Sequence, residues 1–140
     1  MTEAESEPPA RDSRGPILIV DDEEVVRHLV ARALTQANYE VLEAADGFEA
    51  LAFLAAHAPR LRLAIFDLVM PGLTGRELAE VTAERWPQLP ILFISGYPRA
   101  YLEEHSLLDS DLPLLKKPFL PSRLLEMVEE TARPDPITTP

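Results

Sequence analysis

The chain has 140 residues, a formal net charge of −11, no cysteine and 46% hydrophobic residues. That suits one domain with a real core and excludes disulfides and thiol chemistry. Lys and Arg are scattered, with Lys116 and Lys117 the one adjacent pair, so the basic face of a nucleic-acid binder is missing, and no apolar run approaches the ~20 residues of a membrane span.

The elements follow in chain order. Residues 1–15 carry Glu, Pro, Ser, Gly and Arg with almost no large apolar side chain, which predicts a disordered tail. They also lack the basic-then-apolar pattern of a signal peptide, and the expectation is a cytoplasmic protein. "ILIVD" (17–21) is a first buried strand. Val25, Val26, Leu29, Val30, Ala33 and Leu34 then repeat at helical spacing, predicting a helix with a core-facing stripe. "YEVLEA" (39–44) is a second strand. "DGFE" (46–49) places a capping residue three before a Glu, a helix start, and Leu51, Leu54, Ala55 and Ala58 continue that helix. "LRLAIFD" (61–67) is a third strand. "TGRE" (74–77) opens a third helix, which Trp86 and Pro87 close. "ILFIS" (91–95) is a fourth strand, and "PLLK" (113–116) a fifth. Pro98 and Pro121 suit the first turns of helices four and five. "RPDPITTP" (133–140) reads as a second tail or a linker stub. The domain expected between the tails is 16–132.

Strands alternating with helices five times predict an α/β fold of (βα)5 type, a parallel sheet covered on both faces. In such sheets the ligand site lies beyond the carboxyl ends of the strands. There the sequence puts Asp21 and Asp22 (strand one), Asp67 (strand three), Ser95 (strand four) and Lys117 (strand five). Strand two offers only Glu43 and Ala44. Like charges 4 Å apart cost about 4 kcal/mol at an effective dielectric of ~20. So either one carboxyl takes up a proton or a cation binds. An all-oxygen carboxylate site suits a hard divalent ion, with Mg²⁺ the cellular default. A hydroxyl and an ammonium beside it suit phosphoryl oxygens. A carboxylate can itself take a phosphoryl group. Asp67 is the candidate, because it stands alone on its strand while Asp21 and Asp22 are paired. Glu23 and Glu24 read as helix-start charges favourable to the dipole. His28, His57 and His105 occupy no strand end. Tyr101 and Leu102 fit either an exposed partner surface or a packed helix.

"ILIVDDEE", "IFDLVMPGLTG", "FISGYP" and "LKKPF", in this order and spacing, resemble the motifs of receiver domains of two-component response regulators, and the likeness spans about 16–132. The resemblance implies a flavodoxin-like, doubly wound five-stranded sheet of order 2-1-3-4-5. It implies that Asp67 accepts phosphate from a histidine kinase or histidine phosphotransfer protein. It implies Mg²⁺ held directly by Asp22, Asp67 and the backbone carbonyl of Val69, with Asp21 acting mainly through water. Ser95 and Lys117 would hold the phosphoryl oxygens, and Lys117–Pro118 would be a cis peptide. Phosphorylation would then bias the surface of helix four, strand five and helix five toward a downstream protein, in a monomer or weak dimer. Turnover would be limited to the domain's own phosphorylation and slow dephosphorylation. "SGYP" and "KPF" are similar to receivers that work with hybrid sensor kinases. Many relatives carry an aromatic residue three positions before the strand-five lysine, where this chain has Leu114. The alternative is a Mg²⁺-dependent phosphohydrolase with an Asp nucleophile, which usually carries D-x-D at the first strand. "VDDEEV" lacks that spacing. A flavin binder would need a phosphate loop after strand one, where "DDEE" would repel the phosphate.

Overall fold

The computed structural model describes residues 15–109 and 112–132. Of the tails expected at 1–15 and 133–140, all but Gly15 lies outside the described residues. Five strands, β1 (Ile17–Val20), β2 (Val41–Ala44), β3 (Leu63–Asp67), β4 (Ile91–Ser95) and β5 (Leu114–Lys116), pair in parallel in the order β2-β1-β3-β4-β5. Five helices connect and follow them: α1 (Glu24–Gln36), α2 (Gly47–His57), α3 (Gly75–Arg85), α4 (Arg99–Glu104) and α5 (Pro121–Ala132). This is the doubly wound 2-1-3-4-5 sheet that the motifs imply.

Successive strand side chains point to opposite faces, and here both faces are covered. Ile17, Ile19, Leu63 and Ile65 pack with Val30 and Leu34 of α1 and Leu124 and Val128 of α5. Leu18, Val20, Ala64 and Phe66 pack on the other side with Leu54 of α2, Leu78 of α3 and Leu102 of α4. Burial on both faces is why β1 and β3 read as unbroken apolar runs rather than alternating ones.

Most boundaries differ from the sequence expectation by a residue or two. Asp21 lies just beyond β1, and Tyr39 is a buried core residue ahead of β2. Asn38 turns the chain out of α1 with φ 75°, a left-handed conformation that Asn tolerates better than most residues. Ala58 belongs to a 3₁₀ turn, Ala58–Arg60, and Ala55 is exposed. The expected core stripe of α1 is narrower than its apolar pattern. Val26, Val30, Ala33 and Leu34 face the core, whereas Val25 and Leu29 are 73% and 63% exposed. At 100° per residue those two sit one step round the helix from Val26 and Val30, off the buried face. Pro98 is the N-cap of α4 rather than part of its first turn, while Pro121 does open α5.

Candidate functional site

Each chemical side chain is delivered by the end of an element. β1 and β3 lie side by side, with Ile17–Val20 opposite Leu63–Phe66. Asp21 and Asp67, the next residue on each, therefore emerge together. The Asp67 backbone is held by its neighbour: Leu68 N–H donates to the Ile94 carbonyl (2.9 Å). Lys117 follows β5, and its N–H donates to the Ser95 carbonyl (2.8 Å). The Lys117–Pro118 peptide is cis, as the resemblance implied.

Asp21, Asp22 and Asp67 each offer a carboxylate oxygen, and these three oxygens lie within 4.8 Å of one another. Asp21 is fully buried and Asp67 is 3% exposed, while Asp22 faces solvent. Asp21 Oδ1 accepts from Glu23 N–H (2.9 Å). Its buried Oδ2 has the Lys117 ammonium 3.0 Å away, but the approach lies off the hydrogen-bonding direction and the oxygen accepts no hydrogen bond. A buried carboxylate oxygen facing two further carboxylates is what a divalent cation would satisfy, and an all-oxygen donor set fits a hard ion.

Lys117 Nζ spans the site. It lies 2.7 Å from Glu23 Oε1 and 3.2 Å from Asp67 Oδ2. Burial alone would push this ammonium down. The Glu23 hydrogen bond and the Asp67 and Asp21 charges outweigh that and hold it above its ordinary value. Asp67 is raised too, which for a carboxyl disfavours the charged form. Burial, then the Asp21 charge, push it up to about 7, against the opposing pull of Lys117. Val69 N–H reaches Asp67 Oδ1 at 3.3 Å. Ser95 is fully buried, and its Oγ accepts from Tyr97 N–H (2.9 Å). Asp22, Asp67, Val69, Gly96, Tyr97 and Lys117 line one open cleft.

Asp21, Asp22, Asp67 and Lys117 therefore meet in space, and Ser95 adjoins them through its carbonyl, which accepts from Lys117 N–H. Three others were missed. Glu23 is more than a helix-start charge, because it hydrogen-bonds Lys117 across the site. It sits at the N-cap of α1 without making a capping bond, and a Glu at a position that favours Asp, Asn, Ser or Thr was the available signal. Glu43, read as offering nothing, pairs with Arg27 (3.1 Å). The histidines stay out of the cleft. His28 lies 3.4 Å from Glu43, His57 stacks on Phe53, and His105 stacks on Tyr101. Leu102 is packed in the core, whereas Tyr101 is part-exposed and also stacks on Tyr97.

Comparison with known proteins agrees with this geometry. The family model for the response regulator receiver domain matches residues 17–129. The chain is 32% identical over 114 residues to the response regulator receiver protein CpdR of Brucella abortus (strain 2308), covering 81% of this chain and 93% of that protein. It is also 32% identical over 114 residues to the sensor kinase CckA of the same organism, covering 81% of this chain but only 12% of the kinase. The crystal structure of the receiver domain from the hybrid histidine kinase CckA superposes with a TM-score of 0.72 at 37% identity, covering 85% of this chain and all of that one. The chain thus spans nearly the whole of a stand-alone receiver and a small part of a kinase. Among the described residues no helix is long and apolar enough to cross a membrane. A doubly wound sheet with an acidic pocket at its carboxyl edge, matched along almost its whole described length, places this chain in the response regulator receiver domain family, the phosphoacceptor switches of two-component signalling.

Proposed function

We propose that Asp67 is the phosphoacceptor, and that the functional unit is residues 16–132. The carrying observation is a buried carboxylate between a carboxylate cluster and a lysine ammonium, at the mouth of an open cleft. Asp22, Asp67 and the Val69 carbonyl would hold Mg²⁺, with Asp21 acting through water. When bound, the ion supplies positive charge that keeps Asp67 ionised and neutralises phosphoryl oxygens. Lys117 contributes a second positive charge on the same carboxylate. In the transfer, an Asp67 carboxylate oxygen bonds to phosphorus as the phosphorus–nitrogen bond of a phosphohistidine breaks. The electron pair of that bond leaves with the imidazole nitrogen. The product is an acyl phosphate whose oxygens are held by Lys117 and the Ser95 hydroxyl.

The donor is a histidine kinase or histidine phosphotransfer protein. Val26 and Pro118 line both the cleft and a neighbouring apolar groove with Leu29, Phe119 and Leu124, which gives a protein donor a foothold beside Asp67. Output passes through the loop after Ser95 and α4. Leu114 has no ring to swing between buried and exposed states, whereas Tyr97 touches both Ser95 and Tyr101. The test is intact mass after incubation with Mg²⁺ and a small acyl-phosphate or phosphoramidate donor. The wild type should gain one phosphoryl group and Asp67→Asn none. A stoichiometric gain in Asp67→Asn would overturn the assignment.

A further inference from the structure

Asp21 is gripped from three sides. Its N–H donates to the Ala44 carbonyl at the end of β2 (3.2 Å). Its side-chain Oδ1 accepts from Glu23 N–H (2.9 Å). Its carbonyl accepts from the Arg27 guanidinium (NH1, 2.9 Å). Arg27 is itself placed. Its N–H bonds the Glu23 carbonyl within α1 (2.9 Å), and its Nε donates to Glu43 Oε1 on β2 (3.1 Å). The Arg27 side chain is 13% exposed, so it is a packed link between α1 and β2 rather than a solvated arm. The outcome is a held carboxylate: Oδ1 is spoken for, and Oδ2 faces the acidic cluster and the Lys117 ammonium 3.0 Å away.

We infer that Arg27, oriented by Glu43, is a positioning residue that aims the Asp21 carboxylate at the divalent ion. This rests on the proposed function, since it concerns the same ion. Two opposing effects decide its sign. A guanidinium close to the acidic cluster repels a cation, so charge alone would make its removal tighten binding. Loss of the grip on the Asp21 carbonyl loosens the carboxylate that would hold the ion's water, and loss of such supporting bonds weakens metal binding by about tenfold or more. The Arg–Glu pairing favours the second effect, because Glu43 already offsets much of the Arg27 charge as seen from the cluster while leaving its geometry intact.

The experiment is calorimetric titration of the full 140-residue chain with Mg²⁺, for wild type, Arg27→Met, Arg27→Lys, Glu43→Gln and the Arg27→Met/Glu43→Gln double variant. Thermal unfolding in EDTA accompanies each titration. Arg27→Met, which keeps most of the packing, should bind Mg²⁺ about tenfold more weakly. Arg27→Lys should fall between it and wild type, since an ammonium can make one of the two contacts. Glu43→Gln should lose less, and the double variant should be no worse than Arg27→Met, because Glu43 acts through Arg27. Equal or tighter Mg²⁺ binding by folded Arg27→Met overturns the inference, as does a double variant whose losses simply add. If Arg27→Met fails to fold, near-isosteric Glu43→Gln carries the test, and unchanged affinity there overturns it. A wild type that takes up phosphate with Mg²⁺ while the variants bind the ion unchanged sinks this inference alone. A wild type that binds no Mg²⁺ sinks the proposed function with it.

Discussion

Val69 and Tyr97 stand two residues beyond Asp67 and Ser95, and both line the cleft that holds Asp67, the proposed phosphoacceptor. Hydrolysis of an aspartyl phosphate needs a water in line with the breaking bond, and a side chain that orients the water accelerates the step. Val69 has no group to do so. The Tyr97 hydroxyl is carried at the far end of a ring that stacks on Tyr101 (centroids 4.8 Å apart), which ties the ring toward α4. The phosphorylated form should therefore be long-lived. Replacing both residues with polar ones, Val69→Asn and Tyr97→Glu, should speed decay in excess Mg²⁺ by roughly tenfold, measured after donor removal. Equal or slower decay in the double variant would refute this. The same scale marks the limit of what a linear sequence discloses. Asp21, Asp67, Ser95 and Lys117 were legible because each ends an apolar run, and parallel strands bring their ends to one edge. Glu23–Lys117 and Arg27–Glu43 were not. The first joins residues 94 apart and the second joins a helix to the next strand, and a charged side chain carries no mark of which partner on another element it meets.

Between residue and domain, α3 shows how closely an element can be bound to the chemistry it follows. Its capping box is complete: Thr74 accepts from Glu77 N–H, and the Glu77 carboxylate accepts from Thr74 N–H. That signature was readable from "TGRE". The glycine inside it was not read as special, yet a Cβ on Gly75 would run into the Asp67 carbonyl and lie 2.7 Å from Leu68 Cα. Both obstacles are backbone, so neither can swing aside. Gly75 is what lets the start of α3 press against the loop that presents Asp67. Gly75→Ala should cost about 2–3 kcal/mol, in the range of overpacked cores. Gly96→Ala, where a Cβ meets nothing within 4 Å, should cost much less. Urea unfolding of the two variants checks this, and a Gly75→Ala protein as stable as Gly96→Ala would disprove the close approach. The apolar pattern of α1 misled in the opposite way. Val25 and Leu29 extend the stripe on paper, but a helix lying against one face of a sheet buries only part of its circumference.

Across the whole molecule, the parallel sheet gathers negative charge at one edge, and folding has to bear it. In the metal-free protein Asp67 is pushed up to about 7 from 3.8, by burial first and the Asp21 charge second. The unfolded chain has lost that proton by about pH 5, whereas the folded chain keeps it until near pH 7. Between those values the folded state binds more protons, so stability falls as pH rises. The loss is complete above the folded value and is on the order of a few kcal/mol. Lys117 does not contribute in this window, because its ammonium is held above its already high ordinary value and stays charged in both states. Other carboxyls titrate over the same range, so the informative quantity is the difference between wild type and Asp67→Asn. In EDTA, that variant should gain on wild type steadily from about pH 4 to pH 7 and be the more stable protein at pH 8. Excess Mg²⁺ should then narrow the gap. A ligand at a hundred times its dissociation constant stabilises the folded state by about 2.7 kcal/mol, and only the wild type keeps all three carboxylates for it. Thermal or urea unfolding at pH 5 and pH 8, with EDTA or Mg²⁺, gives the four comparisons. If wild type and Asp67→Asn kept the same stability difference at both pH values in EDTA, the carboxyl would not be carrying a raised pKa. If Mg²⁺ stabilised the two proteins equally at pH 8, the ion would not be seated on Asp67.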